Sequence, residues 1–229
     1  MEYRVISIGT LAAHPLWGEE RGAVRTGHAT STLVSTQSAQ ILVDPSLPTP
    51  AMLARLGERS PVRADQITDV FFTTAGLDHR RALAAFPDAR WYVGETELTD
   101  ARTELTRRLD EARSGGDEEL TAFLADDLEL LGRCKRAPDR LYQGVDLFPL
   151  PGVTPGCCGL LLSLPRATVL VCGDAIATTE HLIQGKVLPT CHDVELAQES
   201  FAEAIEIADL LILGRDNISL NPLRQPHTL

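Results

Sequence analysis

Residues 69–79 read Asp-Val-Phe-Phe-Thr-Thr-Ala-Gly-Leu-Asp-His, a short apolar run that passes into a polar loop. Val70, Phe71 and Phe72 favour a pleated, buried surface, so the run predicts a strand ending near Thr73. The loop from Thr74 onward then lies at the strand's carboxyl end. Functional groups commonly sit on loops positioned by a rigid sheet, which makes Asp78 and His79 the first candidate site residues.

Upstream, Tyr3 to Gly9 predicts a first strand. Ser31–Ser35 and Ala39–Asp44 flank the polar turn 36–38 and predict a hairpin, closed off by Pro45 and Pro48. Thr49–Leu56 and Arg63–Gln66 predict short helical pieces. Downstream, a helical stretch runs to Phe86, and Trp91–Val93 predicts a short strand. Glu95–Arg113 and Glu118–Leu131 carry helical periodicity on either side of Ser114-Gly-Gly-Asp117. Strands return at Val145–Leu150, Gly159–Leu164 and Thr168–Cys172. An amphipathic helix over Val194–Ala208 precedes a last strand at Leu210–Leu213. The strands thus form two groups, each followed by helices. That order favours two sheets with helices outside, in one α/β (α+β) domain over residues 1–229, with a helical pair at about 95–131.

Composition narrows the function. Twenty-one Lys and Arg against 32 Asp and Glu leave a net charge of −11, which disfavours nucleic-acid binding by bulk charge. With 44% hydrophobic residues, the chain is globular rather than disordered. Its longest apolar runs fall far short of the ~20 residues needed to span a bilayer. The amino-terminal stretch reads as a strand rather than a signal peptide, and five cysteines without a C-x-x-C read as free thiols. A cytoplasmic location is therefore expected. Trp17 and Trp91 read as packing residues, and the acidic run Glu118–Glu129 as a solvated helix face.

Two further polar sites follow strand ends: Asp174 in Val171-Cys-Gly-Asp174 and Arg215 in Gly214-Arg-Asp216. With the loop Pro151-Gly-Val-Thr-Pro-Gly156 they complete an ordered set running from about Val5 to Asn217. In that order the sequence resembles the metallo-β-lactamase-fold hydrolase superfamily. The resemblance implies a four-layer αββα sandwich and hydrolysis of an ester, amide, thioester or phosphoester by a metal-bound hydroxide. It also implies a water-orienting role for Asp78, the candidate catalytic residue, and a middle helical pair that in relatives covers the site or forms a homodimer.

The departures from the family pattern concern the metal. The His-x-His-x-Asp-His loop keeps only Asp78 and His79, with Thr74 and Gly76 at the two leading positions. Val153 stands in the histidine place of the Pro-Gly-His-Thr-Pro-Gly loop, and Arg215 in that of the final Gly-His-Asp. Asp174 is kept. Asp78, His79 and Asp174 are thus the candidate residual ligands, and Thr74, Gly76, Val153 and Arg215 the replaced positions lining the site. Zinc takes three or four protein ligands, valine has no donor, and a guanidinium has no lone pair. Either no metal or at most one divalent ion is therefore expected. An arginine between Asp78 and Asp174 would suit both carboxylates, so a direct contact is expected there.

Three functions stay open. One is a metallo-hydrolase-like protein with a degenerate centre that binds a small molecule without dizinc chemistry. The second is a hydrolase with a single rearranged metal site on Asp78, His79 and Asp174. The third is metal-free catalysis, for instance by Cys157 with His79 as base. Cys191 and His192 lie in the loop after Asp174 and could approach the site. They read more simply as a half-buried thiol and a surface histidine. His14, His28 and His181, with Cys158, are further candidates for rebuilding a metal site; His28, just before the hairpin, could approach it but reads more simply as a structural histidine.

Overall fold

The computed structural model describes residues 1–19 and 24–224. A first sheet takes its strands in chain order: β1 (Glu2–Ser7), β2 (Ser31–Ser35), β3 (Gln40–Val43), β4 (Asp69–Phe71), β5 (Arg90–Val93) and β6 (Lys135–Arg136). The first three are antiparallel, with the expected hairpin in register from Thr32↔Val43 to Ser35↔Gln40. β3 to β6 are parallel, joined through helices. The second sheet is ordered β12-β11-β10-β9-β8-β7, from β7 (Arg140–Tyr142), β8 (Val145–Pro149), β9 (Cys158–Ser163), β10 (Thr168–Gly173), β11 (Leu210–Leu213) and β12 (Ile218–Leu220). Only its β10–β11 pair is parallel.

Side-chain alternation explains the layers. Phe71, Val34 and Ile41 of the first sheet meet Leu160, Val169, Val171 and Ile212 of the second. Their neighbours Val70, Phe72, Leu33 and Leu42 point the other way, into a core shared with α1 (Thr49–Arg59), α3 (Glu95–Gly115) and α4 (Glu118–Arg133). On the far side Leu170, Cys172, Leu211 and Leu213 pack with Phe201 and Ala204 of α6 (Val194–Ile207). The result is the αββα sandwich. Two short helices complete it: α2 (Leu77–Arg80) and α5 (Thr179–Gln184). Among the described residues, no helix is long and apolar enough to cross a membrane.

Several expectations need correction. The helical stretch expected to reach Phe86 stops at Arg80 as α2, followed by a separate 3-10 turn at Leu83–Ala85. The edge strands β6, β7 and β12, two or three residues long, are too short to show a period. Trp91 is buried as expected, but Trp17 is 59% exposed. Its indole N–H donates to Glu180 Oε1 and its ring stacks on His14, 4.1 Å between centroids, so a polar partner holds it at the surface. The acidic run of α4 is not wholly solvated either. Asp127 is buried and accepts two hydrogen bonds from Arg80 of α2, at 2.6 and 2.9 Å.

Candidate functional site

The site lies where β3, β4, β10 and β11 end. Asp44 follows β3 with φ +48°, a left-handed conformation that a short polar side chain tolerates. Its Oδ1 accepts from Thr73 N–H at 2.8 Å and its Oδ2 from the Thr73 hydroxyl at 2.9 Å. That hydroxyl has spent its proton, so its oxygen accepts from His79 Nδ1–H, at 3.1 Å. His79 is buried on α2, with Asp78 beside it in the same turn.

Asp174 opens a 3-10 turn after β10. It reaches the site because Gly173 precedes it at φ +54°, where a Cβ would lie 2.6 Å from the Thr73 side chain. A substitution at Gly173 would be strained in its backbone and blocked by the facing loop. Arg215 follows β11 by two residues, its backbone N–H held by Ala177 O at 2.7 Å. Consecutive amides of Ala29 and Thr30 donate to Asp78 O and Gly214 O, at 2.9 and 2.7 Å, and so tie the two loops together.

Arg215 is the hub. It donates Nε–H to Asp174 Oδ1 and Nη2–H to Asp174 Oδ2, both at 2.6 Å. Nη1–H donates to Asp78 Oδ2. Nη2 also lies 2.9 Å from His79 Nε2, which is itself 3.2 Å from Asp174 Oδ2. The contact expected with at least one of the two carboxylates is present, and it is made to both. Burial disfavours the charge on Asp174, but Arg215 and then His79 outweigh it and hold the carboxyl well below its usual range. Burial alone would likewise depress His79. Asp174 and Asp44 on either side overcome burial and the opposing Arg215, and push the imidazole up to about 10.

A family model described as the metallo-beta-lactamase superfamily matches residues 24–212. The chain belongs to that superfamily. No curated protein matches it significantly. Among solved structures, a metallo-beta-lactamase-type protein of Thermotoga maritima superposes with a TM-score of 0.69 at 18% identity, covering 96% of this chain and 98% of its own. AidC, a dizinc quorum-quenching lactonase, gives 0.67 at 18% identity, covering 86% and 76%. A B. thuringiensis AiiA variant, solved with N-decanoyl-L-homoserine at its active site, gives 0.60 at 19% identity, covering 93% of this chain and 92% of its own. At these identities the likeness is one of fold.

The positions that the resemblance marks as candidate ligands fall unevenly around the hub. Asp78, His79, Asp174 and Arg215 converge, while Thr74 is buried and Gly76 precedes α2. Val153 contributes its carbonyl, which accepts from His192 N–H at 3.1 Å. Among the described residues, no group of three or more His, Cys, Asp and Glu side chains is placed to hold a metal ion. Cys157 is buried, and desolvation, then the neighbouring Cys158 and Glu97, raise its thiol well above the ordinary value. That disfavours the thiolate a nucleophile needs. Cys191 is half-buried, with its thiol also raised, and His192 is exposed. Neither side chain bonds to the hub.

Sequence reasoning missed Asp44, Thr73 and Glu97. Buried Glu97, in the first turn of α3, accepts from Ala75 N–H at 2.7 Å and from the Thr154 hydroxyl at 2.6 Å. It joins the Thr74–Gly76 loop to the Pro151–Gly156 loop. The Asp44 signal was available as an acid directly after a strand and before two prolines.

Above the hub is a cavity of about 500 Å³. Asp78, Asp174 and Arg215 form its floor, and Leu11, Ala12, Ala13, Pro15, Leu188 and Pro189 supply apolar walls.

Proposed function

We propose that this superfamily member has a degenerate metal centre and acts by binding a small molecule, without dizinc hydrolase chemistry. One observation carries the reading: the Arg215 guanidinium contacts Asp78, His79 and both oxygens of Asp174 at once. The residues present do not fit a dinuclear zinc pair. A fixed positive charge with no lone pair is bonded to the donors that remain, and it would repel a divalent cation among them. Thr74, Gly76 and Val153 add no imidazole. The arginine supplies the charge that a cation would otherwise bring to the carboxylates. What this chain's residues do is hold a charged floor under an apolar cavity.

The test is elemental analysis of protein expressed in zinc-supplemented medium, alongside hydrolysis assays on lactone and ester substrates. The expected result is well under one zinc per chain and no zinc-dependent turnover. Two zinc ions per chain would overturn the reading. One tightly held zinc, lost on His79→Gln and accompanied by turnover, would instead support a hydrolase with a single rearranged site on Asp78, His79 and Asp174.

A further inference from the structure

We propose that the cavity over Arg215 takes an organic ammonium: a protonated amine on an apolar chain, with the ammonium on Asp78. The proposal rests on the metal-free reading of the same site and names its ligand class.

The hydrogen-bond inventory of the floor points this way. A guanidinium has five N–H donors. Arg215 gives Nε–H and Nη2–H to Asp174 and one Nη1–H to Asp78, and its other Nη2 edge faces His79. The fork that would grip a carboxylate or phosphate bidentately is already engaged by Asp174. Asp78 is the reverse case. Only its Oδ2 is taken by Arg215, and no described residue donates to Oδ1. Its side chain is 36% exposed against 7% for Arg215, so the charge presented to the cavity is the carboxylate.

Net charge agrees. Asp44, Asp78 and Asp174 carry three negative charges, against Arg215 and a protonated His79. The cluster is anionic with His79 charged and more so with His79 neutral. Glu19, at the cavity wall, is neutralised by Arg25. An anion entering here would meet an excess of its own sign and at most one unspent N–H. An ammonium would meet an open acceptor oxygen. Leu11, Ala12, Ala13, Pro15, Leu188 and Pro189 make the walls mainly apolar, with Thr190 the one uncharged polar side chain among them, so the rest of the ligand is largely apolar.

The probes are n-hexylammonium, n-hexanol and n-hexanoate, titrated calorimetrically into the intact protein near pH 7. Hexylammonium is expected to bind about tenfold or more tighter than hexanol, and hexanoate more weakly than either. Raising the salt concentration should narrow the gap between hexylammonium and hexanol. Asp78→Asn should remove most of it while leaving hexanol binding in place. Ala12→Trp, which fills the cavity without touching the floor, should abolish all binding, with circular dichroism confirming that both variants fold. Hexanoate binding as tightly as hexylammonium, an unchanged preference in Asp78→Asn, or no binding of any probe would overturn the proposal. Zinc analysis of the same preparation separates the two readings. A metal-free protein without ammonium preference sinks this one alone, and a zinc-loaded protein that prefers hexanoate sinks both.

Discussion

Arg215 and Asp174 form a two-pronged ion pair between the turns that follow the parallel strands β11 and β10, with both N–H···O distances at 2.6 Å. Both side chains are buried but for the edge that faces the cavity, so little water can replace a lost partner. Removing one partner of such a pair leaves an uncompensated charge, which costs more than the pair itself contributes. Arg215→Ala is therefore expected to destabilise the protein by about 2–4 kcal/mol near pH 7, measured by urea denaturation. The folded-state pKa of Asp174 is depressed. Its contribution is thus present above the unfolded value of about 4 and is lost as pH falls toward the folded one. The cost of Arg215→Ala should be smaller at pH 4 than at pH 7. A cost independent of pH would show that Arg215 acts through packing alone.

His79 has the opposite sign. Its folded pKa is raised to about 10, burial being outweighed by Asp174 and Asp44. The stabilisation is fully present below the unfolded value of about 6.5 and fades as pH rises toward 10. The stability gap between the protein and His79→Gln should accordingly be widest near pH 6 and narrow through pH 9. The imidazole nitrogen shifts of His79 in NMR should report the charged ring at pH 7. A neutral ring at that pH, its one proton on Nδ1 toward Thr73, would mean that Nε2 accepts from Arg215 and that His79 adds no charge to the cluster.

Much of the site was legible because its residues follow strand ends in a fixed order. Asp78, His79, Asp174 and Arg215 each stand one to several residues past an apolar run, and parallel pairing of β3 with β4 and of β10 with β11 brings those ends together. The Arg215 contact followed from charge once the resemblance had set Arg215, Asp78 and Asp174 around one pocket. Asp44, Thr73 and Glu97 were not legible in the same way. Asp44 bonds to Thr73 across 29 residues of chain and Glu97 to Thr154 across 57, and such pairings depend on the folded path. An acid in the first turn of a helix is common for reasons of helix dipole and capping, which masks a role like that of Glu97. Trp17 misled because its size suggests burial. The surface pocket of His14, Glu180 and the Arg25 guanidinium 5.7 Å from its ring satisfies it instead.

The wall of the cavity that includes Pro15 is fastened through His14. Thr178 Oγ1 lies 3.0 Å from His14 Nε2 and 2.9 Å from His181 Nδ1, and donates to Glu180 Oε2 at 2.9 Å. A hydroxyl with its proton spent accepts from both rings, which leaves His14 Nδ1 and His181 Nε2 as buried, unpartnered lone pairs. Burial, then the neighbouring His14, lower the His181 pKa to about 4; Glu180 and Asp174 oppose the shift and Lys186 adds to it. The folded state then binds fewer protons than the unfolded one between about pH 6.5 and 4, so stability falls as pH drops through that window. His181→Gln should flatten that decline. Thr178→Val should cost about 1–3 kcal/mol by stranding two imidazole N–H groups, as read from thermal or urea unfolding.

Restoring the four substituted positions tests the placement of the superfamily's ligand set on this chain. Thr74→His, Gly76→His, Val153→His and Arg215→His together would supply four imidazoles to Asp78, His79 and Asp174 and remove the repelling charge. A Cβ at residue 76 would lie 2.9 Å from Asp78 Oδ1, the tip of a partly exposed side chain. Asp78 can turn aside, and the substitution of Arg215 frees it to do so. Gly76 itself has φ −57°, which any residue adopts. The quadruple variant is therefore expected to fold and to bind zinc at one or more ions per chain by elemental analysis. Each single variant should bind little. Arg215→His alone leaves the Thr74, Gly76 and Val153 side without an imidazole, and the other three singly leave the guanidinium on Asp174. Zinc sites need three or four donors at once, so the gain should appear only when the set is complete. A folded quadruple variant that takes up no zinc would mean that residue 153 or residue 74 does not face the hub, and the assignment of those two positions would fall first.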